Sequence, residues 1–118
     1  MEDVSFIRRE SGDDLIVSFA IPGSTPYAVK SLTLLRTPKY EFILDDAERG
    51  INMSYDEFPD DEDDLLEEID IQEQEVRIIT SHRRYTLNVR DVDKEKIEEA
   101  KKILKRMNFN ARFKLQGI

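Results

Sequence analysis

Apolar and polar residues alternate with a period of two along most of this chain, which is the pattern of strands with one buried face. Val4, Phe6 and Arg8 alternate against Ser5, Ile7 and Arg9. Ser11-Gly12-Asp13-Asp14 then supplies turn chemistry, and Leu15, Val17 and Phe19 resume the alternation, so this stretch reads as a hairpin. Pro22-Gly23-Ser24-Thr25-Pro26 reads as a loop. Val29 to Arg36 is rich in β-branched and apolar residues and predicts a third strand. Pro38-Lys39 turns the chain, Tyr40, Phe42 and Leu44 predict a fourth strand, and Ile51, Met53 and Tyr55 mark a fifth beyond the turn at Asp45 to Gly50.

From Leu65 the periodicity admits two readings. Leu65, Leu66 and Ile69 fit a helical face with Asp63 or Asp64 as its cap, while Leu65, Ile69 and Ile71 fit one side of a strand. A strand over 68–72 is preferred, because Gln72-Glu73-Gln74 can turn it onto Val76-Arg77-Ile78-Ile79. Ser81-His82-Arg83 turns into 84–89, with Tyr85, Leu87 and Val89 on one face.

The spacing then changes and predicts a helix over about 93–107. Asp93 is a good cap, and Val92 with Ile97 has the arrangement of a hydrophobic staple. Ile97, Ala100, Leu104 and Met107 follow at helical spacing with Ile103 on the flank, and Lys105 and Arg106 occupy the last turn, where the helix dipole favours cations. Asn108 ends the helix, and Ala111, Phe113 and Leu115 alternate as a final strand. Strand, helix and strand with short connections predict a right-handed crossover that sets 84–89 parallel to 111–115. The expected fold is α+β: a mostly antiparallel sheet of seven or eight strands, one C-terminal helix packed on a face, and a final strand. So wide a sheet has to curl or close partly into a barrel.

At 118 residues and 13.9 kDa the chain is expected to form one domain, residues 1–118, with an acidic loop at 56–64. Leu, Ile, Val and Phe supply 34 of the 118 residues, well above the ~20% typical of disorder, so a core can form. The longest apolar run falls far short of the ~20 residues of a membrane helix, so no membrane partner is expected. Near the start, Val4, Phe6 and Ile7 are interrupted by Arg8, Arg9 and Glu10, so no signal peptide can be drawn, and Glu2 and Asp3 are wrong for a transit peptide. The expected location is cytoplasmic, where the sequon at Asn52-Met53-Ser54 has no meaning. Absence of Cys excludes disulfides, thiolate metal sites and cysteine nucleophiles.

Charge divides the chain. The net charge is −8, yet residues 1–75 carry 21 acids and 6 bases whereas residues 76–118 carry 5 acids and 12 bases. The two parts are expected to face each other and neutralise in the fold. Asp56 to Asp64 holds seven acids in nine residues; such a run repels itself and resists desolvation, so it is expected to be a solvated loop. Pro59 supports the loop by fixing its own φ and steering Phe58 away from helix.

Candidate chemistry is sparse. His82 is the only histidine, no Gly-x-Ser-x-Gly elbow accompanies it, and a turn histidine beside Arg83 and Arg84 is expected to be exposed. Carboxylate pairs of glycosidase type want an aromatic cleft, but these acids cluster in a loop and Trp is absent. Glycines at positions 12, 23, 50 and 117 are too scattered for a phosphate-cradling loop. Arg83, Arg84, Lys101, Lys102, Lys105, Arg106, Arg112 and Lys114 bring nucleic acid to mind, but the net charge of −8 and the competing acidic loop argue against it.

Phe58, flanked by Asp56, Glu57, Pro59 and Asp60, resembles a short acidic docking segment: an aromatic supplies energy and acids steer the encounter. Packed back onto the sheet, the same Phe58 would instead anchor the loop. The expectation is a non-enzymatic domain without a cofactor, acting as inhibitor, neutraliser or adaptor. It would bind another protein with a basic surface through Asp56, Glu57, Phe58, Asp60, Asp61, Glu62, Asp63 and Asp64. The alternative is a divalent cation held by Asp60, Asp61, Asp63 and Asp64, although no Gly lies between Gly50 and Gly117, so the helix–loop–helix calcium spacing fails. Oligomeric state is left open by the sequence; exposed sheet edges could pair between chains.

Overall fold

A computed structural model describes residues 2–23, 25, 28–46, 49–61 and 63–117. In chain order the strands are β1 (Glu2–Asp3), β2 (Phe6–Ser11), β3 (Leu15–Pro22), β4 (Val29–Arg36), β5 (Asn52–Tyr55), β6 (Leu66–Ile71), β7 (Glu75–Thr80), β8 (Arg84–Asn88) and β9 (Lys114–Gln116), with the helix α1 (Lys94–Met107) between β8 and β9. The fold is α+β and mostly antiparallel, as the periodicity predicts. It does not close into a barrel: the strands divide into a sheet of order β2-β3-β4-β5 and a sheet of order β1-β8-β7-β6-β9. Adjacent strands rotate by about 20–25°, so nine of them cannot lie flat under one helix, and splitting into two sheets is an alternative to closure.

Two corners join the sheets. The Val4 N–H donates to the Asn88 carbonyl in one sheet, and the next residue, Ser5, donates to Ala20 in the other. The chain therefore changes sheet between β1 and β2, and the alternation slips there: Val4 and Ile7 are both buried while Phe6 is exposed. At the second corner Asn52 bridges Leu65, Met53 donates to the Asp64 carbonyl, and Leu66 donates to that of Ile51.

The inner faces share one core. Val17, Phe19, Leu32, Leu34 and Met53 from the first sheet meet Ile69, Val76, Ile78 and Leu87 from the second. The helix lies on β2 and β3 and buries Ile97, Ala100, Ile103, Leu104 and Met107, which matches the predicted apolar face with Ile103 added in full. The Asp93 carboxylate accepts from the Glu95 N–H and caps it as expected. Among the described residues no helix is long and apolar enough to cross a membrane.

Residues 65–72 are resolved in favour of the strand, β6. Two expectations need correction. The strand at Tyr40–Leu44 is instead a 3-10 helix, Pro38–Ile43, started by a proline whose φ suits a first turn. It points Glu41 inward and leaves Tyr40, Phe42 and Ile43 exposed. The final strand begins at Lys114, because Ala111 takes a left-handed φ of 54° and delays it. It runs in the same direction as β8 but pairs with β6, so the crossover passes over two intervening strands. Beyond it Gly117 is obligatory: at φ 81° a Cβ would stand 1.8 Å from the Ile71 carbonyl oxygen.

The inward turn of Glu41 has a partner. Arg36 is 1% exposed, and its Nε and Nη2 donate to the two Glu41 oxygens at 2.7 and 2.9 Å. Its Nη1 donates to the Met107 carbonyl at 2.6 Å and to Asn110 Oδ1 at 2.9 Å, and the Phe109 ring covers the guanidinium at 4.1 Å. One side chain thus ties β4, the 3-10 helix and the C-terminus of α1 together. Arg36→Leu strands the Glu41 carboxylate in a dry site and is expected to cost about 3–5 kcal/mol in urea unfolding, with Arg36→Lys recovering only part because it lacks the planar fork.

Candidate functional site

The acidic segment runs from the end of β5 to the start of β6, and its residues take distinct roles. Asp56 extends the β4–β5 ladder: its N–H donates to the Ser31 carbonyl and its carboxylate accepts the Ser31 N–H at 2.9 Å. Glu57 is exposed, with Lys30 Nζ 3.5 Å away. The chain then makes two successive turns, Phe58 N–H to Tyr55 carbonyl and Asp61 N–H to Phe58 carbonyl. Phe58 is half-buried and packs on the core. Its ring meets Tyr55 edge-on at 5.9 Å, and the Arg83 guanidinium lies 3.7 Å above it. Of the two sequence-based roles for Phe58, this arrangement is the anchoring one.

Asp64 departs furthest from the expected solvated loop. It is 3% exposed, and its carboxylate accepts three hydrogen bonds: Thr80 Oγ1 at 3.0 Å, Ser81 Oγ at 3.1 Å and the His82 N–H at 3.0 Å. A buried carboxylate is tolerated only when donors replace its hydration, and the β7–β8 turn supplies them. Asp63 reaches this point through a left-handed φ of 59°, which Asp adopts more readily than most residues. Asp60 and Asp63 are exposed. Glu62 lies outside the described residues.

His82 is exposed, as expected, and its Nδ1 is 2.8 Å from Asp61 Oδ1 and 3.8 Å from Asp64 Oδ1. Arg83 Nε is 3.4 Å from the other Asp61 oxygen. Asp61, Asp64 and His82 are the one group among the described residues that could offer three ligand atoms to a metal ion. Asp60 and Asp63 do not join it, the Asp64 oxygens are occupied by three donors, and Arg83 already brings positive charge to Asp61. Nearby, burial pushes the pKa of the Tyr55 hydroxyl well above its ordinary 10.0, reinforced by Glu2 and Glu57, and burial followed by the Asp64 charge raises that of Tyr85. Both phenols therefore stay neutral at the edge of the acidic cluster.

Bases from the second part of the chain reach acids of the first: Arg83 meets Asp61, Arg112 meets Asp46, and Lys94 lies 3.7 Å from Glu73. In the opposite sense, Glu99 on α1 meets Arg9 on β2. Lys101 turns to Glu98 on its own helix and Arg106 donates to Ser11. Sequence reading missed that Phe6, Tyr40 and Phe42 are exposed: it set Tyr40 and Phe42 with Leu44 on one face of a strand, and Phe6 with Val4 on one face of another.

Asp64→Ala removes the acceptor of the Ser81 hydroxyl and the His82 N–H and leaves the Thr80 hydroxyl with the Arg83 carbonyl alone, and is expected to cost about 2–3 kcal/mol in urea unfolding. Asp60→Ala, at an exposed position, is expected to stay within about 0.5 kcal/mol of the parent.

Comparison with protein-family models, with curated proteins and with solved structures found no match to this chain.

Proposed function

We propose that this chain is a non-enzymatic, protein-binding domain whose acidic segment meets a basic surface on a partner. The observation that carries the reading is the contrast within the segment. Asp64 and Phe58 are pinned to the β7–β8 turn, and between and beside them Glu57, Asp60 and Asp63 are exposed. Carboxylates displayed from an anchored backbone attract a basic partner while costing little further ordering when it arrives. A shallow depression lined by Glu57, Phe58, Pro59, Asp60, Asp61 and Arg83 gives that partner relief as well as charge. The roles divide accordingly: Glu57, Asp60 and Asp63 meet the partner, Phe58 lends its uncovered edge, and Asp61 and Asp64 hold the segment in place.

The test is affinity capture from native lysate with the parent and with the triple variant Glu57→Gln/Asp60→Asn/Asp63→Asn, none of which removes an anchor. A partner retained by the parent at low salt and lost by the variant is expected. Its association rate should fall about tenfold or more in the variant, and the difference should shrink as salt rises. A partner that both proteins retain equally, at the same rate, would contradict the reading.

A further inference from the structure

We infer that the outer face of the β2–β5 sheet is the docking surface for a second copy of this chain. The outer faces of the two sheets differ in kind. On the second sheet charge is spread over the outward positions of every long strand: Glu68 and Asp70 on β6, Glu75 and Arg77 on β7 and Arg84 on β8, with Ile79, Thr86 and Asn88 between them. On the first, the cross-strand row through the middle is Arg8, Ser18, Thr33 and Ser54. Ala20 and Ser31 fill the row on one side, and Ile16 and Leu35 the row on the other. In a chain with 37% charged residues, the charges on these rows stand at their edges: Arg8 and Glu10 on the edge strand β2, and Asp56 just beyond β5 beside Ser31.

Apolar side chains rise at both ends of this neutral field. Phe6 and Val29, 40% and 51% exposed, border a depression of about 190 Å³ over Ser18, Ala20 and Ser31. Tyr40 and Ile43, 53% and 71% exposed, border one of about 150 Å³ beside Leu35 and Asn52. Nothing in the expected solvation of a highly acidic protein calls for such a face. Isolated apolar side chains are ordinary on a surface, but a neutral sheet face bounded by them marks an interface.

Charge selects a second copy as the occupant. Two molecules that each carry −8 repel, and this is the broad face on which they can approach without setting acid against acid. The few charges present are also self-complementary. Arg8 lies on the β2 edge, whereas Asp56 continues the opposite, β5 edge beside Ser31. A two-fold axis along the strands lays the β2 edge of one copy over the β5 edge of the other, so that base meets acid twice, as an isologous interface requires. Small residues at Ser18, Ala20, Ser31 and Thr33 let the backbones come to the ordinary ~10 Å separation of packed sheets. Three of the four strands are six to eight residues long and β5 has four, so at ~4.8 Å between strands and ~3.3 Å per residue they present a face of about 20 × 20 Å. Even with the flanking aromatic and aliphatic side chains this is smaller than the ~800 Å² per partner of a standard interface, the size of a weak, concentration-dependent association.

The experiment is sedimentation velocity on the full chain from about 1 to 300 μM, with circular dichroism to confirm folding of each variant. The parent is expected to move toward twice its 13.9 kDa as concentration rises. Thr33→Arg, in the middle of the face, should raise the dissociation constant at least about 30-fold, and Arg8→Glu, at an exposed edge position, should raise it about tenfold with the loss reduced by salt. Thr86→Arg, on the outer face of the other sheet, should dimerise like the parent. A parent that stays monomeric throughout would overturn the inference and assign the face to some other occupant. Thr33→Arg and Arg8→Glu variants that dimerise as tightly as the parent, or a Thr86→Arg variant that does not dimerise, would overturn it as well.

Discussion

Asp64 leaves water when this chain folds, and a carboxylate that does so has to be met by donors in fixed positions. Those donors are Thr80, Ser81 and the His82 N–H, all from the β7–β8 turn. The pairing settles more than one residue. It fixes where the acidic segment re-enters the second sheet, sets Met53 and Leu66 in place for the corner between β5 and β6, and brings Arg83 over Phe58. The most strongly charged stretch of the chain thus becomes an anchored surface feature, with some acids spent on holding it and others left facing solvent.

The same physics operates at Arg36. A guanidinium that is fully buried is acceptable because Glu41, Met107 and Asn110 take up its donors and Phe109 covers its face. Between these two polar clusters the core is apolar and continuous, so the sheets are held by hydrophobic burial while the buried charges specify which loops and helix ends lie against them. Opposite charges in the two parts of the chain meet across this fold at Arg83 with Asp61, Arg112 with Asp46 and Lys94 with Glu73, pairs at the surface that contribute little beside the apolar core.

Much of the fold was legible because burial follows period and period is written in the residues. The helix with its Asp93 cap, the β2–β3 hairpin and the strands β4, β5, β7 and β8 follow from it; at β6 the period fits a helix as well, and the turn at Gln72-Glu73-Gln74 favours the strand. The failures come where a second interaction overrode the period. Tyr40, Phe42 and Leu44 alternate like a strand, but Glu41 between them is the inward residue, since its partner Arg36 is buried; a buried ion pair inverts the hydropathy pattern on which the strand reading rests. Val4 and Ile7 break alternation because the chain changes sheet between them. In the acidic segment, composition cannot tell Asp64 from Asp60, because the donors that bury one of them lie 16 to 18 positions along the chain. The neutral outer face of the first sheet was invisible for a related reason: Ser18, Thr33 and Ser54 become one row only when three strands are in register.

Residues 56–61, 63 and 64 form an anchored surface and not a solvated tether, and backbone amide hydrogen exchange tests this most directly. The N–H groups of Phe58, Asp61 and His82 are bonded to the Tyr55 carbonyl, the Phe58 carbonyl and the Asp64 carboxylate. They should exchange at least ~100-fold more slowly than in an unstructured chain, with His82 the slowest of the three. Exchange of all three at unstructured rates, while Ile69 and Ile78 in the neighbouring strands remain protected, would show the segment to be detached and would contradict the account.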